Sequence, residues 1–137
     1  MRGLARIAAM LALTAAQERS RAPIEGYWMN PIGSAIIEIA PCGHELCGKV
    51  VWASPRGQRE AAKGARNVVG TTVLSGLKRA HGYWAGSLFI PDDNIHVSAR
   101  LQTAGARQIK LTGCAFAGFF CRTQLWTRQK GPMPASD

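Results

Sequence analysis

The chain is poor in acid and in histidine. Eight Asp and Glu stand against 17 Lys and Arg, with three histidines among 137 residues. Side chains that commonly serve as general acids, general bases and metal ligands are therefore scarce. His44, His81 and His96 belong to no Ser-His-Asp or Cys-His grouping of recognisable spacing, and no Cys-x-x-Cys redox pair occurs. These absences argue against an enzyme, and nothing in the sequence implies a cofactor. No apolar run reaches the roughly 20 residues that a bilayer span requires. Charge is low at 18% while hydrophobic residues reach 47%, the reverse of a disordered chain.

What is present begins with a targeting pattern. Arg2 and Arg6 precede an apolar run over residues 7–16, which ends in Thr14, Ala15 and Ala16 and gives way to Gln17-Glu18-Arg19-Ser20. Charged, apolar and small residues in that order read as a secretory signal peptide over 1–16, cleaved after Ala16. The alternative is an amphipathic helix at the start of a cytosolic protein. The export reading predicts a periplasmic or secreted location, a linker over 17–23, one domain over 24–129 and a loose tail over 130–137. Loss of 1–16 leaves 15 basic residues against the same eight acids, a formal +7.

A basic surface can meet nucleic acid, anionic lipid or cell-wall polymer. The charges are scattered, however, and Arg56, Arg59, Lys63 and Arg66 form the only loose cluster. Without aromatics between them they read as a solvated loop, so nucleic acid is not an expected partner. An envelope partner held by this loop is the second reading of the chain.

The four cysteines fall in two close pairs, Cys42/Cys47 and Cys114/Cys121. An even count in a small exported chain reads as disulfides. Of three connectivities the two local bridges are favoured, because a crossed arrangement needs the two turns to be neighbours. His44 between Cys42 and Cys47 raises zinc. The second pair is spaced by six residues, three of them phenylalanine, which is not a zinc knuckle; no metal is expected.

Between turn signals the chain breaks into short β-like runs at 24–29, 35–40, 46–52, 68–77, 81–90, 95–101, 107–113 and 122–128. The run from Ile95 alternates most cleanly, with Ile95, Val97, Ala99 and Leu101 on one face and His96, Ser98 and Arg100 on the other. Residues 53–66 lack apolar periodicity and read as an exposed loop with one helical turn near Glu60 to Lys63. Eight short strands without a covering helix predict an all-β fold. A small antiparallel eight-stranded barrel removes both open edges; a two-sheet β-sandwich is the alternative. Such a barrel either fills with side chains or holds one small ligand.

Several segments resemble a known family. They are Gly26-Tyr27-Trp28, Ile36-Ile37-Glu38-Ile39, the stretch from Cys42 through Leu46-Cys47-Gly48 to Trp52, Gly82-Tyr83-Trp84 through Pro91-Asp92-Asp93, and Leu111-Thr112-Gly113-Cys114 with Cys121-Arg122-Thr123-Gln124-Leu125-Trp126-Thr127-Arg128. Together they resemble the bacterial family labelled domain of unknown function 2147 over nearly the whole mature chain. The resemblance implies an exported, lipocalin-like small barrel and brings no reaction. One departure is that Val97 stands where the family usually has tyrosine. In lipocalin-like barrels a Gly-x-Trp on the first strand lies under a basic residue from the end of the barrel. Gly26, Trp28 and Arg128 fit those roles, and with Trp126 they are expected to be structural.

For a ligand site the candidates are the aromatics Trp52, Tyr83, Trp84 and Phe89, which alternation should turn partly into the lumen, and Glu38, the one acid placed mid-strand. The bland reading is that these rings simply fill the core. The expected function is a non-enzymatic barrel holding a small apolar or amphipathic ligand. The alternative is an interaction module of the envelope that uses the basic surface and loop 53–66.

Overall fold

The computed structural model describes residues 20–135. The expected signal peptide and the first three residues of its linker, 17–19, lie outside the described residues. Eight strands run in chain order: β1 (Gly26–Met29), β2 (Ala35–Cys42), β3 (Glu45–Ala53), β4 (Thr72–Arg79), β5 (Trp84–Ile90), β6 (Ile95–Thr103), β7 (Gln108–Ala115) and β8 (Phe120–Gln129). Each pairs antiparallel with its neighbour, and β1 meets β8 to close the barrel. The eight-stranded barrel expected from the alternation is the fold; the sandwich is not.

Period-2 patterning explains the closure. Ile37 and Ile39 on β2, Ala99 and Leu101 on β6, and Ile109 and Leu111 on β7 all turn into one buried cluster. Their intervening neighbours face out. Two departures from the expected layout occur. Residues 68–71 form a turn in which the Thr71 amide donates to the Val68 carbonyl at 3.0 Å, so β4 starts at Thr72. Residues 54–71 also hold a seven-residue helix, α1 (Pro55–Ala61), where a loop with a single helical turn near Glu60 to Lys63 was expected. Its start is locally specified: Ser54 Oγ accepts from the Gly57 amide at 3.0 Å, and Pro55 follows the cap.

Because the strands form a meander, connections alternate between the two ends. One end is a packed floor. Trp28 is fully buried there, its Nε1 donating to the Ile24 carbonyl at 2.9 Å. The Arg128 guanidinium lies 4.2 Å from the indole centroid. It also donates to the carbonyls of Pro23 at 2.7 Å, Glu25 at 3.0 Å and Ala106 at 3.2 Å. Gly26 permits this approach, since a Cβ there would stand 2.7 Å from Arg128 Nη1 and its φ is +132°. Arg128 thus ties the segment before β1 and the β6–β7 turn across the end of the barrel.

Two local disulfides staple opposite ends. Cys42–Cys47 closes the β2–β3 hairpin on the floor side, with Cα atoms 5.8 Å apart. Cys114–Cys121 closes the β7–β8 hairpin at the other end, with Cα atoms 4.1 Å apart. No free cysteine remains among the described residues.

Candidate functional site: a cavity at the open end

The end opposite the floor is hollow. A cavity of about 660 Å³ opens there, within the range of small-molecule sites. Its wall is mainly apolar: Val50, Val73, Leu88, Val97, Leu111 and Trp126 face it from six strands. The space exists because the inward residues near this end are small. Ala35, Ala53, Gly113 and Ala115 line the upper wall, where larger side chains would have met in the middle.

Helix α1 roofs part of the opening. Ala61 is buried against the core while Arg56 and Arg59 face water. Two glycines set how closely the segment can lie. A Cβ on Gly57 would stand 2.5 Å from the Ser34 carbonyl oxygen, and one on Gly64 would stand 2.6 Å from that of Pro91. The α1 segment therefore spans from the β1–β2 loop to the β5–β6 turn by close backbone contact at both sides.

Few polar groups reach the cavity. Asn30 is consumed by its own loop: its Oδ1 accepts the Ser34 and Ala35 amides at 2.8 and 3.1 Å, and its Nδ2 donates to Ser34 Oγ at 2.7 Å. Gln124 Oε1 accepts from Trp126 Nε1 at 3.0 Å. Arg122 lines the cavity from β8, and its guanidinium has no hydrogen-bond or ion-pair partner among the described residues. Asp92, on the rim, has its carboxyl pushed above the ordinary range by burial and then by the nearby Glu60 and Asp93 charges. Among the described residues no group of His, Cys, Asp and Glu is placed to hold a metal.

The wall also has a lateral gap. β1 has four residues and pairs β8 only from Tyr27 to Met29, against Thr127 to Gln129. Residues 120–126 of β8 pair with β7 alone. Arg122 and Gln124, although on the inward face, are exposed through this gap.

Of the aromatics and acid expected in the lumen, Phe89 alone borders the cavity. It sits at the rim, stacked on His96 at 4.7 Å, with its ring against Gly64. Trp84 turns inward at the floor and packs on the core below the cavity. Tyr83 precedes β5 on the outer surface under Arg100, whose guanidinium carbon is 4.7 Å from its ring centroid. Trp52 is corrected by a bulge. Ile36 pairs with Trp52 and Ile37 with Val50, so Val51 is extra, Ala53 takes the inward position and Trp52 faces out over Ile36. Glu38 is also outside, on the face opposite Ile37 and Ile39. It stands in a ladder row between Tyr27 and Lys49, and its hydrogen bond, then its charge, hold the Tyr27 hydroxyl above the ordinary phenol range.

The lining that sequence reasoning missed is mainly aliphatic, with Phe120 beside it. Val97, Leu111 and Leu88 were visible as one face of alternating strands, but nothing local marks a buried valine as facing space rather than a neighbour. Arg122 was visible only as part of a family-like segment.

Residues 26–128 match the family model described as uncharacterized protein conserved in bacteria, DUF2147. No curated protein matches the chain. Among solved structures, the Helicobacter pylori protein HP1028, described as belonging to the lipocalin family, is similar with a TM-score of 0.58 at 13% identity. The likeness covers 77% of this chain and 82% of that one. At that identity the likeness is one of fold.

Proposed function

The chain belongs to the bacterial family DUF2147, and for this lipocalin-like member we propose the binding of a small amphipathic ligand, without catalysis, outside the cytoplasm. The cavity carries the reading: about 660 Å³ of largely apolar space, open at one end, with one unpartnered cation at its mouth. An apolar body buried against Val50, Val73 and Leu111 gains about 25 cal/mol per Å² removed from water. A negative head would meet Arg122 beside the lateral gap. The two disulfides fit an extracellular or periplasmic protein.

Gly113 offers a direct test. It lines the cavity, and a Cβ there would meet side-chain atoms first, Val97 Cγ2 at 3.3 Å and Leu88 Cδ2 at 3.4 Å, with the Ser98 carbonyl oxygen at an ordinary 3.9 Å. Gly113→Phe should project a ring into the space and weaken binding of the apolar reporter N-phenyl-1-naphthylamine by at least about tenfold, the cost of roughly 1.4 kcal/mol of lost burial. Circular dichroism should stay that of the wild type. Equal reporter affinity in the folded variant and the wild type would show that the lumen is not a binding site. Native mass spectrometry of protein purified from the periplasm should show added mass of an amphiphile on the wild type and none on Gly113→Phe.

A further inference from the structure

The open end carries an apolar feature that extends beyond the cavity. Phe116, Phe119 and Phe120, in and beside the β7–β8 turn, are 77%, 85% and 69% exposed. Ile32, on the β1–β2 connection, and Ile95, at the start of β6, are exposed on the same rim. Phenylalanine so exposed and so clustered marks a contact surface. The turn presents the rings deliberately. Phe116 and Ala117 both adopt left-handed backbone, φ 52° and 53°, which a bulky residue rarely takes. The Cys114–Cys121 bridge anchors the base of this loop, and Phe116 and Phe120 meet edge to face at 5.6 Å.

We propose that this end of the barrel docks on an anionic lipid bilayer, the three rings entering the headgroup–acyl boundary and the basic α1 segment resting on lipid phosphates. Three observations favour a bilayer over a protein. The rings together offer roughly 450 Å² at ordinary side-chain areas, well short of the roughly 800 Å² per partner of a stable dimer. They stand on a projecting loop, which suits insertion into a soft boundary. Charge is complementary: Arg56, Arg59, Lys63, Arg66 and Arg122 lie exposed around this end. The acids there are Glu60, Asp92 and Asp93, and Glu60 is bonded to Arg56 at 2.7 Å. Aromatic wedges flanked by basic residues are the pattern of interfacial binding. The cavity opens at the same end, so an amphiphile leaving a bilayer would enter the lumen directly. That last step rests on the ligand reading, whereas docking itself does not.

The test is co-sedimentation of the whole protein with phosphatidylcholine vesicles and with vesicles containing about one-third phosphatidylglycerol. The wild type should bind the anionic vesicles, more weakly at high salt, and the neutral ones at least tenfold less well. Phe116→Ser/Phe119→Ser should lose about 100-fold on both, since each buried ring is worth around tenfold. Its circular dichroism and reporter binding should match the wild type, because both rings are exposed and neither lines the cavity. Arg56→Gln/Arg59→Gln/Lys63→Gln/Arg66→Gln should lose the preference for anionic vesicles and its salt dependence. Gly113→Phe should bind vesicles normally, which separates this proposal from the lumen. Wild-type protein that sediments with neither vesicle overturns it. So does a serine variant that binds like the wild type, or one that differs only by losing a dimer in sedimentation velocity; the latter would assign the rings to a second copy of the chain.

Discussion

Replacing Arg128 with methionine removes the charge from the floor while leaving a side chain of similar length on Trp28. The guanidinium is 4.2 Å from the indole centroid, a half-desolvated cation–π contact worth about 1 kcal/mol. Its hydrogen bond to the half-buried Glu25 carbonyl is worth a further ~1 kcal/mol. The bonds to Pro23 and Ala106 are exposed, and water can replace the donor there, so they contribute about 0.5 kcal/mol each. The expected loss is about 3 kcal/mol. For a domain of this size that is roughly 4 °C per kcal/mol, a fall of about 12 °C in Tm. Thermal and urea unfolding followed by circular dichroism would measure it. Arg128→Lys keeps a cation over the ring but cannot reach three carbonyls at once, so it should recover only about 1 kcal/mol. Reporter binding at the far end should be unchanged in both. A loss below about 1 kcal/mol for Arg128→Met, or full recovery by lysine, would refute the view that a planar fork ties the chain ends to the floor.

Other consequences are equally accessible. Arg122→Gln should weaken binding of a carboxylate amphiphile about fivefold, as for an exposed ion pair of ~1 kcal/mol, and leave its neutral alcohol analogue unaffected; competition against the reporter would show equal loss for both if Arg122 plays no part. Asp92 has a raised pKa in the fold, caused by burial and then by Glu60 and Asp93. Its contribution to stability is therefore fully present below the unfolded carboxyl value near ~3.9 and is lost as pH rises through the folded value. Asp92→Asn should accordingly raise Tm at pH 7 and leave it unchanged near pH 3; the opposite ordering would mean that the charge is stabilised on the rim. Cys42→Ser/Cys47→Ser and Cys114→Ser/Cys121→Ser each open a short loop, of sequence separation 5 and 7. Each should cost about 2 kcal/mol by loop-closure entropy, measured by urea unfolding, and the second pair alone should weaken vesicle binding.

The barrel was legible because eight runs carried their own periodicity and turns, and the anchor of the floor because Gly26, Trp28 and Arg128 fit the roles that the resemblance to lipocalin-like barrels implies. The site was less so, and Trp52 shows why. Strict alternation from Leu46 through Gly48 and Val50 points Trp52 inward. One extra residue at Val51, absorbed by the bulge opposite Ile36 and Ile37, reverses every side chain beyond it. A bulge depends on how two strands meet, which neither strand displays alone. Helix α1 was hidden for a related reason. Its seven residues carry one apolar contact, Ala61, too few to produce a period, and it is held by glycine contacts to Ser34 and Pro91 that are distant in sequence.

The cavity follows from a gradient of side-chain size along the barrel axis. At the floor the inward positions hold Trp28, Leu77, Leu101 and Ile109, all fully buried. At the open end the inward positions of the same sheet hold Ala35, Ala53, Gly113 and Ala115. Eight strands set a circumference at which large residues meet across the axis and small ones do not. Stability is thus concentrated at the floor, where deleting a large side chain leaves a void costing several kcal/mol. The upper wall, already bordering space, has no such packing to lose. Large-to-small substitutions there, such as Val97→Ala, should cost stability little and enlarge the lumen, whereas Leu101→Ala, two positions along the same face of β6, should cost about 3 kcal/mol. Equal losses at the two positions would mean that the upper barrel is as tightly packed as the floor, leaving no ligand space between them.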